Sequence, residues 1–246
     1  MQDNLNISLS AIDEKRFGIT TAKASDLNSE NLDEAISFCV QNSVQLFIVR
    51  CDAAQIRTVH ALESSGFLLM DTLVYYALDI NHIISTDMHT DSQIKILSAT
   101  GNEYAGEVKS IATNGFSNFI GHYHADPRLD KEKCNEVYAD WAYNSCVYSD
   151  VADEVLIAEV ADMPCGFLTI KKHGKIAEFP LNAVSKDFQR RGIFNQLILH
   201  GIDYCIREGI KSIYTSTQIN NLAPQKVWIR NHFEPQKYVY TFHKWF

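Results

Sequence analysis

The sequence predicts an α+β chain, with a largely antiparallel central sheet flanked by helices. Three observations carry this. Between Glu154 and Val184, three apolar strand-like segments follow one another with short turns, which reads as an antiparallel meander. A basic turn, an amphipathic helix and another strand come directly after it. The chain has 246 residues, 46% of them hydrophobic, enough for one large core or two modest ones.

Taken in order, Ser29 to Asn42 has helical character, and "VQLFIVRCD" reads as a buried strand. "AAQIRTVHALESSGF" places Ile56, Val59, Ala61 and Leu62 at helical spacing, with Gly66 as its stop. "LLMDTLVYYALDI" reads as another strand. The polar run Asp79 to Gln93 is the best boundary, dividing an N-terminal α/β half-domain (1–90) from a larger domain (91–246). Beyond it, "GNEYAGEVKSIATNGF" reads as a helix, "FSNFIGHYHADPRLD" as a loop, and Glu132 to Ser145 as a helix. The meander follows as "EVLIAEV", a Met163-Pro164 turn, "CGFLTIKK", a Lys172-His173-Gly174 turn and "KIAEFPLNAV". The chain closes with a helix ending near Gly209, the strand "SIYTST", a helix over about Leu222 to Asn231, and the strand "YVYTFHKWF". That last strand is apolar enough to be either deeply buried or shared across a homodimer. One internal echo stands out: "LFIVRCDAAQIRTVHALESSGF" and "SIYTSTQINNLAPQKVWIRNHF" share the order strand, polar turn, helix, Phe.

Composition narrows the function. A formal net charge of -8 argues against nucleic acid, which needs a basic face. Six cysteines lie scattered with no C-x-x-C pair, which fits a reducing cytoplasm better than a disulfide scaffold or zinc knuckle. The first residues lack the pattern of a signal peptide, and no apolar run approaches the roughly 20 residues that span a bilayer. A cytoplasmic protein without membrane contact is expected.

The chemistry concentrates in "NAVSKDFQRRGIFNQLILHGIDYCIREG". Lys186, Arg190 and Arg191 surround a single Asp187, and Gly192 stands where a helix begins. A helix start offers unpaired N–H groups and partial positive charge, and glycine lets an anion approach the backbone. On residue types alone, an exposed basic start to a surface helix is an equal reading.

The segment "LNAVSKDFQRRGIFNQLIL" resembles the acetyl-CoA-binding segment of the GNAT N-acetyltransferase superfamily. Gln189, Arg191 and Gly192 match its pattern, whereas Phe194 stands where a small residue is usual. "STQINNLAPQKVWIRNHF" is similar to a second family segment at Asn221 and Ala223. Within the superfamily the likeness runs to the dTDP-fucosamine acetyltransferases, through "GHYHADPRLDKEKCNEVYADW". The resemblance implies a GNAT-like fold with an N-terminal partial half-domain, acetyl-CoA as co-substrate and no metal. It also implies a small-molecule amine acceptor, with a dTDP-linked 4-amino-6-deoxy sugar as the leading choice. Aminoglycosides, amino acids and protein N-termini are the alternatives, and a catalytically weak acyl-CoA-binding protein is the competing class.

Carried over by position, the backbone of Leu181, Asn182, Ala183 and Val184 would pair with the pantetheine arm. The N–H groups of Gln189, Arg190, Arg191, Gly192, Ile193 and Phe194 would hold the pyrophosphate, with Asn221 nearby. Glu178 is the candidate proton acceptor, with His122 and His124 as alternatives and Asp126 to orient one of them. Phe119, His122, Tyr123, His124 and Asp126 form the candidate acceptor surface. The family tyrosine that protonates the leaving thiolate is replaced by Trp228, whose indole donates a hydrogen bond but is no acid. Tyr238, Tyr240, His232 or solvent would then supply that proton, or turnover would be weak.

Overall fold

A computed structural model of the chain describes residues 5–25, 27–82 and 93–246. The chain divides into two compact units. Met1–Val74, Ile120–Cys134 and Lys237–Phe246 form the first; Tyr75–Phe119 and Asn135–Gln236 form the second. Most of the expected boundary run, residues 83–92, lies outside the described residues.

The first unit opens with β1 (Asn6–Leu9), α1 (Ala11–Phe17) and β2 (Thr21–Ser25), three short elements that carry no clear period in the sequence. Then come α2 (Leu32–Gln41), β3 (Leu46–Asp52), α3 (Ile56–Ser64) and β4 (Leu68–Asp79), which continues into the second unit. β1 runs antiparallel to β2, and β2 runs parallel to β3. Alternation sorts the sheet's two faces. Ala22, Ala24, Phe47, Val49 and Cys51 pack against Leu32, Ala35 and Cys39 of α2 and Val59 and Leu62 of α3. Lys23, Ile48 and Arg50 point the other way.

In the second unit, β5 (Ile94–Ser98) and α4 (Ala105–Gly115) come first. The loop 116–130 holds one short helix, α5 (His122–Ala125), which belongs to the first unit. α6 (Lys131–Val147) leads to β6 (Glu154–Val160), β7 (Met163–His173), β8 (Ile176–Phe179) and β9 (Asn182–Val184). The chain ends with α7 (Ile193–Arg207), β10 (Ser212–Gln218), α8 (Leu222–Arg230) and β11 (Glu234–Trp245), whose outer part pairs antiparallel with β3. β6, β7 and β8 form the expected meander, β5 adds an antiparallel strand beside β6, and β10 joins β8 in parallel. The mixed α+β architecture is thus the one the sequence predicts.

Three details differ. The first meander turn sits at Ala161 and Asp162, both at positive φ, rather than at Met163-Pro164. Two left-handed residues match the twist of a tight hairpin, and Pro164, lacking an N–H, is carried inside the strand beside a bulge. The β5 strand was not anticipated. "KIAEFPLNAV" is two strands, broken at Pro180.

The internal echo is geometric. β3 and α3 return as β10 and α8 with Leu46 replaced by Ser212 and every number raised by 166. Gln55 N–H to Asp52 O recurs as Asn221 N–H to Gln218 O, and Phe67 N–H to Leu62 O recurs as Phe233 N–H to Trp228 O. Gly66 and His232, both left-handed, close the two helices.

All six cysteines are free and buried. No helix among the described residues is long and apolar enough to cross a membrane.

Packing of α7 onto the sheet depends on Gly201, where an added Cβ would meet Leu168 Cδ2 at 2.6 Å and Phe179 Cζ at 2.9 Å. Gly201→Val should cost about 1–3 kcal/mol in urea unfolding. Gly106, which meets nothing within 4 Å in α4, should instead gain up to about 1 kcal/mol as Gly106→Ala.

Candidate functional site

Pro180 decides the local geometry of the second unit. β8 follows β10 in parallel from Ile176 to Phe179, and the Thr215 hydroxyl donates to Phe179 O. Pro180 has no N–H to continue a ladder. Leu181 is then captured by Thr169 of β7: Leu181 N–H donates to Thr169 Oγ1, and Thr169 N–H and Oγ1 both donate to Leu181 O. β9 therefore pairs with β7, with Ala183 opposite Phe167, and leaves β10. Of the four residues expected to present their backbone, Leu181 and Ala183 spend theirs on β7. Asn182 and Val184 face the open edge.

The turn after β9 is tied down at several points. Lys186 N–H donates to Asn114 Oδ1 at 2.7 Å, and Gln189 Nε2 donates to Val184 O at 3.1 Å. Arg191 donates to Asp187 O at 3.0 Å and lies 5.1 Å over the Phe188 ring, which holds its charge beside the turn. Arg190 (φ 65°) and Gly192 (φ 79°) are left-handed. The N–H groups of Arg190, Arg191 and Gly192 reach no acceptor among the described residues, and Ile193 and Phe194 begin a 15-residue helix without a side-chain cap. This is a basic cradle of free donors at the positive end of a long helix.

Phe194 does not lie across the cradle as a free obstacle. Its ring packs edge-on against Trp228 at 6.4 Å. Trp228 is buried, and its indole N–H has no acceptor among the described residues. Tyr76 of β4 packs against it at 5.4 Å, a residue read from sequence only as part of a strand. The Tyr76 hydroxyl donates to Gln225 Oε1, while Gln225 Nε2 is held by the carbonyls of Gln218, Ile219 and Asn221. The Asn221 side chain donates to Thr217 Oγ1 and so braces the start of α8 against β10. Half-buried Glu178 sits one residue before the strands part, between Lys171 and Tyr214 on its neighbours, and makes no ion pair among the described residues.

The expected acceptor surface is divided. Phe119 belongs to the second unit, in a trio with Phe116 at 5.3 Å and Tyr138 at 5.1 Å. His122, Tyr123, His124 and Asp126 belong to the first, as does Tyr238, which is exposed on β11. Asp126 orients neither His122 nor His124 directly. It binds His243 Nδ1 at 2.8 Å and accepts from Trp245 Nε1 at 2.8 Å, and His243 Nε2 meets His122 Nδ1 at 2.9 Å. His243, in the middle of an apolar strand and 117 positions from Asp126, gave no signal in the sequence. Burial raises the Asp126 carboxyl, but the hydrogen bonds from His243, Trp245 and Arg128 N–H outweigh it and hold the group below its ordinary value. Burial, then the charges of His243, Arg50, Lys23 and His124, push His122 well below the ordinary imidazole value. No group of three or more metal-ligating side chains occurs among the described residues.

With this geometry in view, residues 119–233 match the family described as Acetyltransferase (GNAT) family. The match takes in 115 of the 246 residues and makes this segment similar to that family. The fold agrees with solved GNAT structures. A GCN5-related N-acetyltransferase from Sphaerobacter thermophilus has TM-score 0.65 at 10% identity, covering 97% of this chain and 76% of its own. A tandem GNAT protein from the clavulanic acid biosynthesis pathway has TM-score 0.67 at 13% identity, covering 93% and 76%. A glucosamine N-acetyltransferase region of a fungal multi-domain β-N-acetylglucosaminidase has TM-score 0.59 at 12% identity, covering 98% of this chain and 31% of that one. No curated protein matches the sequence.

The His122 shift has a measurable consequence. The unfolded chain, with an imidazole near 6.5, takes up a proton that the fold refuses. The stability this group contributes is complete above about pH 6.5 and is lost as the pH falls below it. The urea midpoint should drop between pH 7.5 and pH 5.5, and His122→Gln should flatten that drop.

Proposed function

We propose that the GNAT segment moves the acetyl group of acetyl-CoA onto a primary amine, and that the amine belongs to a nucleotide-linked 4-amino-6-deoxy sugar. One observation carries the reaction: β9 parts from β10 and runs straight into a basic, glycine-capped helix start. In this reading the outward backbone of Asn182 and Val184 pairs with the pantetheine amides. The N–H groups from Gln189 to Phe194, with Arg190 and Arg191, bind the pyrophosphate. The fit rests on the N–H groups of Arg190 to Phe194, which the protein leaves unused, whereas Gln189 N–H donates to Lys186 O, and bound acetyl-CoA would supply the activated thioester.

Glu178 is the chain's proton acceptor for the attacking amine, being half-buried, unpaired and next to the strand opening. Trp228 offers its buried indole N–H as a hydrogen-bond donor without giving up the proton. The thiolate proton then comes from solvent or from another side chain. Trp228 also favours a second reading, a protein that binds acyl-CoA and turns it over slowly, since a missing general acid costs about 10²–10⁴-fold. The sugar acceptor is supported by the likeness of "GHYHADPRLDKEKCNEVYADW" and by the presence of a glucosamine N-acetyltransferase among proteins of this fold. We also propose that residues 1–90 are a partial half-domain and 91–246 the acetyl-CoA-binding domain, as the echo between β3–α3 and β10–α8 supports.

Calorimetric titration with acetyl-CoA should give micromolar binding, and Arg191→Glu should weaken it at least about tenfold through charge reversal. Absence of binding to the wild type would remove the acetyltransferase reading. Binding without acetylation of any dTDP-amino sugar would remove only the acceptor.

A further inference from the structure

The face of the first unit opposite its α2/α3 core carries polar groups that the acetyl-transfer reading leaves unused. β2, β3 and β11 place Lys23, Ile48 and His243 side by side across the sheet, with Arg50 and Thr241 paired in the next row. Lys23 is occupied, by an ion pair with Asp13 and a hydrogen bond to the Tyr123 hydroxyl, which itself donates to Asp13 at 2.7 Å. Arg50 is exposed and has no carboxylate partner among the described residues. In the adjoining row of the same face lies His243, whose Nε2 meets His122 Nδ1 at 2.9 Å. Across the strand pair from Arg50, Thr241 Oγ1 is buried with no partner among the described residues. Unsatisfied buried polar atoms are rare and often mark a place that water or a ligand completes.

The hydrogen-bond chain fixes what His122 presents. An ionised Asp126 accepts only, so the His243 Nδ1 facing it carries the proton. In the neutral pair, His243 Nε2 is the acceptor and His122 Nδ1 its donor, at 2.9 Å. His122 Nε2 is then a bare lone pair, and it makes no hydrogen bond among the described residues. Arg50 can only donate and His122 Nε2 can only accept. With Lys23 and Arg50 both near, a simple cation is repelled.

We propose that this face is a binding site for a small oxyanion that also carries an O–H or N–H donor, the oxyanion on Arg50 and the donor on His122 Nε2. His243 and Asp126 are positioning residues that fix the His122 tautomer. Thr241 Oγ1 is the third polar group on this face. Hydrogen phosphate and an amino-acid zwitterion share the required chemistry, whereas sulfate has the charge but no donor at neutral pH. The site is independent of the acetyl-CoA-binding reading, and acetyl-CoA calorimetry is unaffected by its failure.

The test is a ¹H–¹⁵N spectrum of the histidine side chains of the whole chain at pH 7.5, titrated separately with inorganic phosphate, glycine and sulfate. In the free protein His122 should show a protonated Nδ1 and a bare Nε2. Phosphate or glycine should shift the His122 Nε2 signal saturably, sulfate should bind at least about tenfold more weakly, and exposed Arg50→Gln should weaken the effective ligand by about tenfold or more. Whichever of phosphate and glycine binds identifies the source of the anion. A protonated His122 Nε2 in the free protein would overturn the proposal. So would equal responses to phosphate and sulfate, no response to phosphate or glycine, or an Arg50→Gln variant that binds as well as the wild type.

Discussion

One missing amide hydrogen organises the second unit. Pro180 cannot extend the ladder that β8 makes with β10, and Thr169 takes both backbone groups of the next residue. Without this capture, β8 and β9 would be one strand and the edge at Asn182 and Val184 would be paired. The turn that follows inherits its position from the same event, since β9 leads directly to Ser185, whose N–H donates to Cys165 O, and Lys186 is then pinned by Asn114. The free donors of the cradle are thus held by bonds made on its far side. Such pre-positioning costs a ligand little reorganisation.

The sequence disclosed what periodicity and turn chemistry can disclose. Long elements such as α6 and α7 were visible because several turns of helix repeat the same apolar spacing. The short opening elements β1, α1 and β2 were not, because four to seven residues give too few repeats to set a period. The basic turn at Lys186 to Gly192 was legible because its residues are contiguous. Tyr76 and His243 were hidden because each acquires meaning from a partner far away in the chain: Trp228 for the first, Asp126 and His122 for the second. Phe194 was legible only as a large residue in a small residue's place, because sequence gives a side chain's size and not its direction.

The repeat of β3–α3 in β10–α8 shows how one backbone design supports different surfaces. The helix-closing bonds are the same, yet Gly66 closes one copy and His232 the other. A non-glycine residue at positive φ carries strain that surrounding bonds must overcome. Upstream, the copies diverge more. α2 begins with Asp33 and Glu34, whereas α7 follows Arg190, Arg191 and Gly192. Those first-turn acids suit the helix dipole but repel a phosphate, so a basic helix start stands beside only one of the two copies.

The six cysteines bear on durability. Each is buried, and burial lifts the thiols to about 11 or about 12. At neutral pH only about one part in ten thousand or less of each is the reactive thiolate. A chain with six sulfhydryls is thus chemically quiet toward peroxide and disulfide exchange while folded, and becomes vulnerable at all six once it opens. Its redox lifetime is set by how often it unfolds, not by how many thiols it contains.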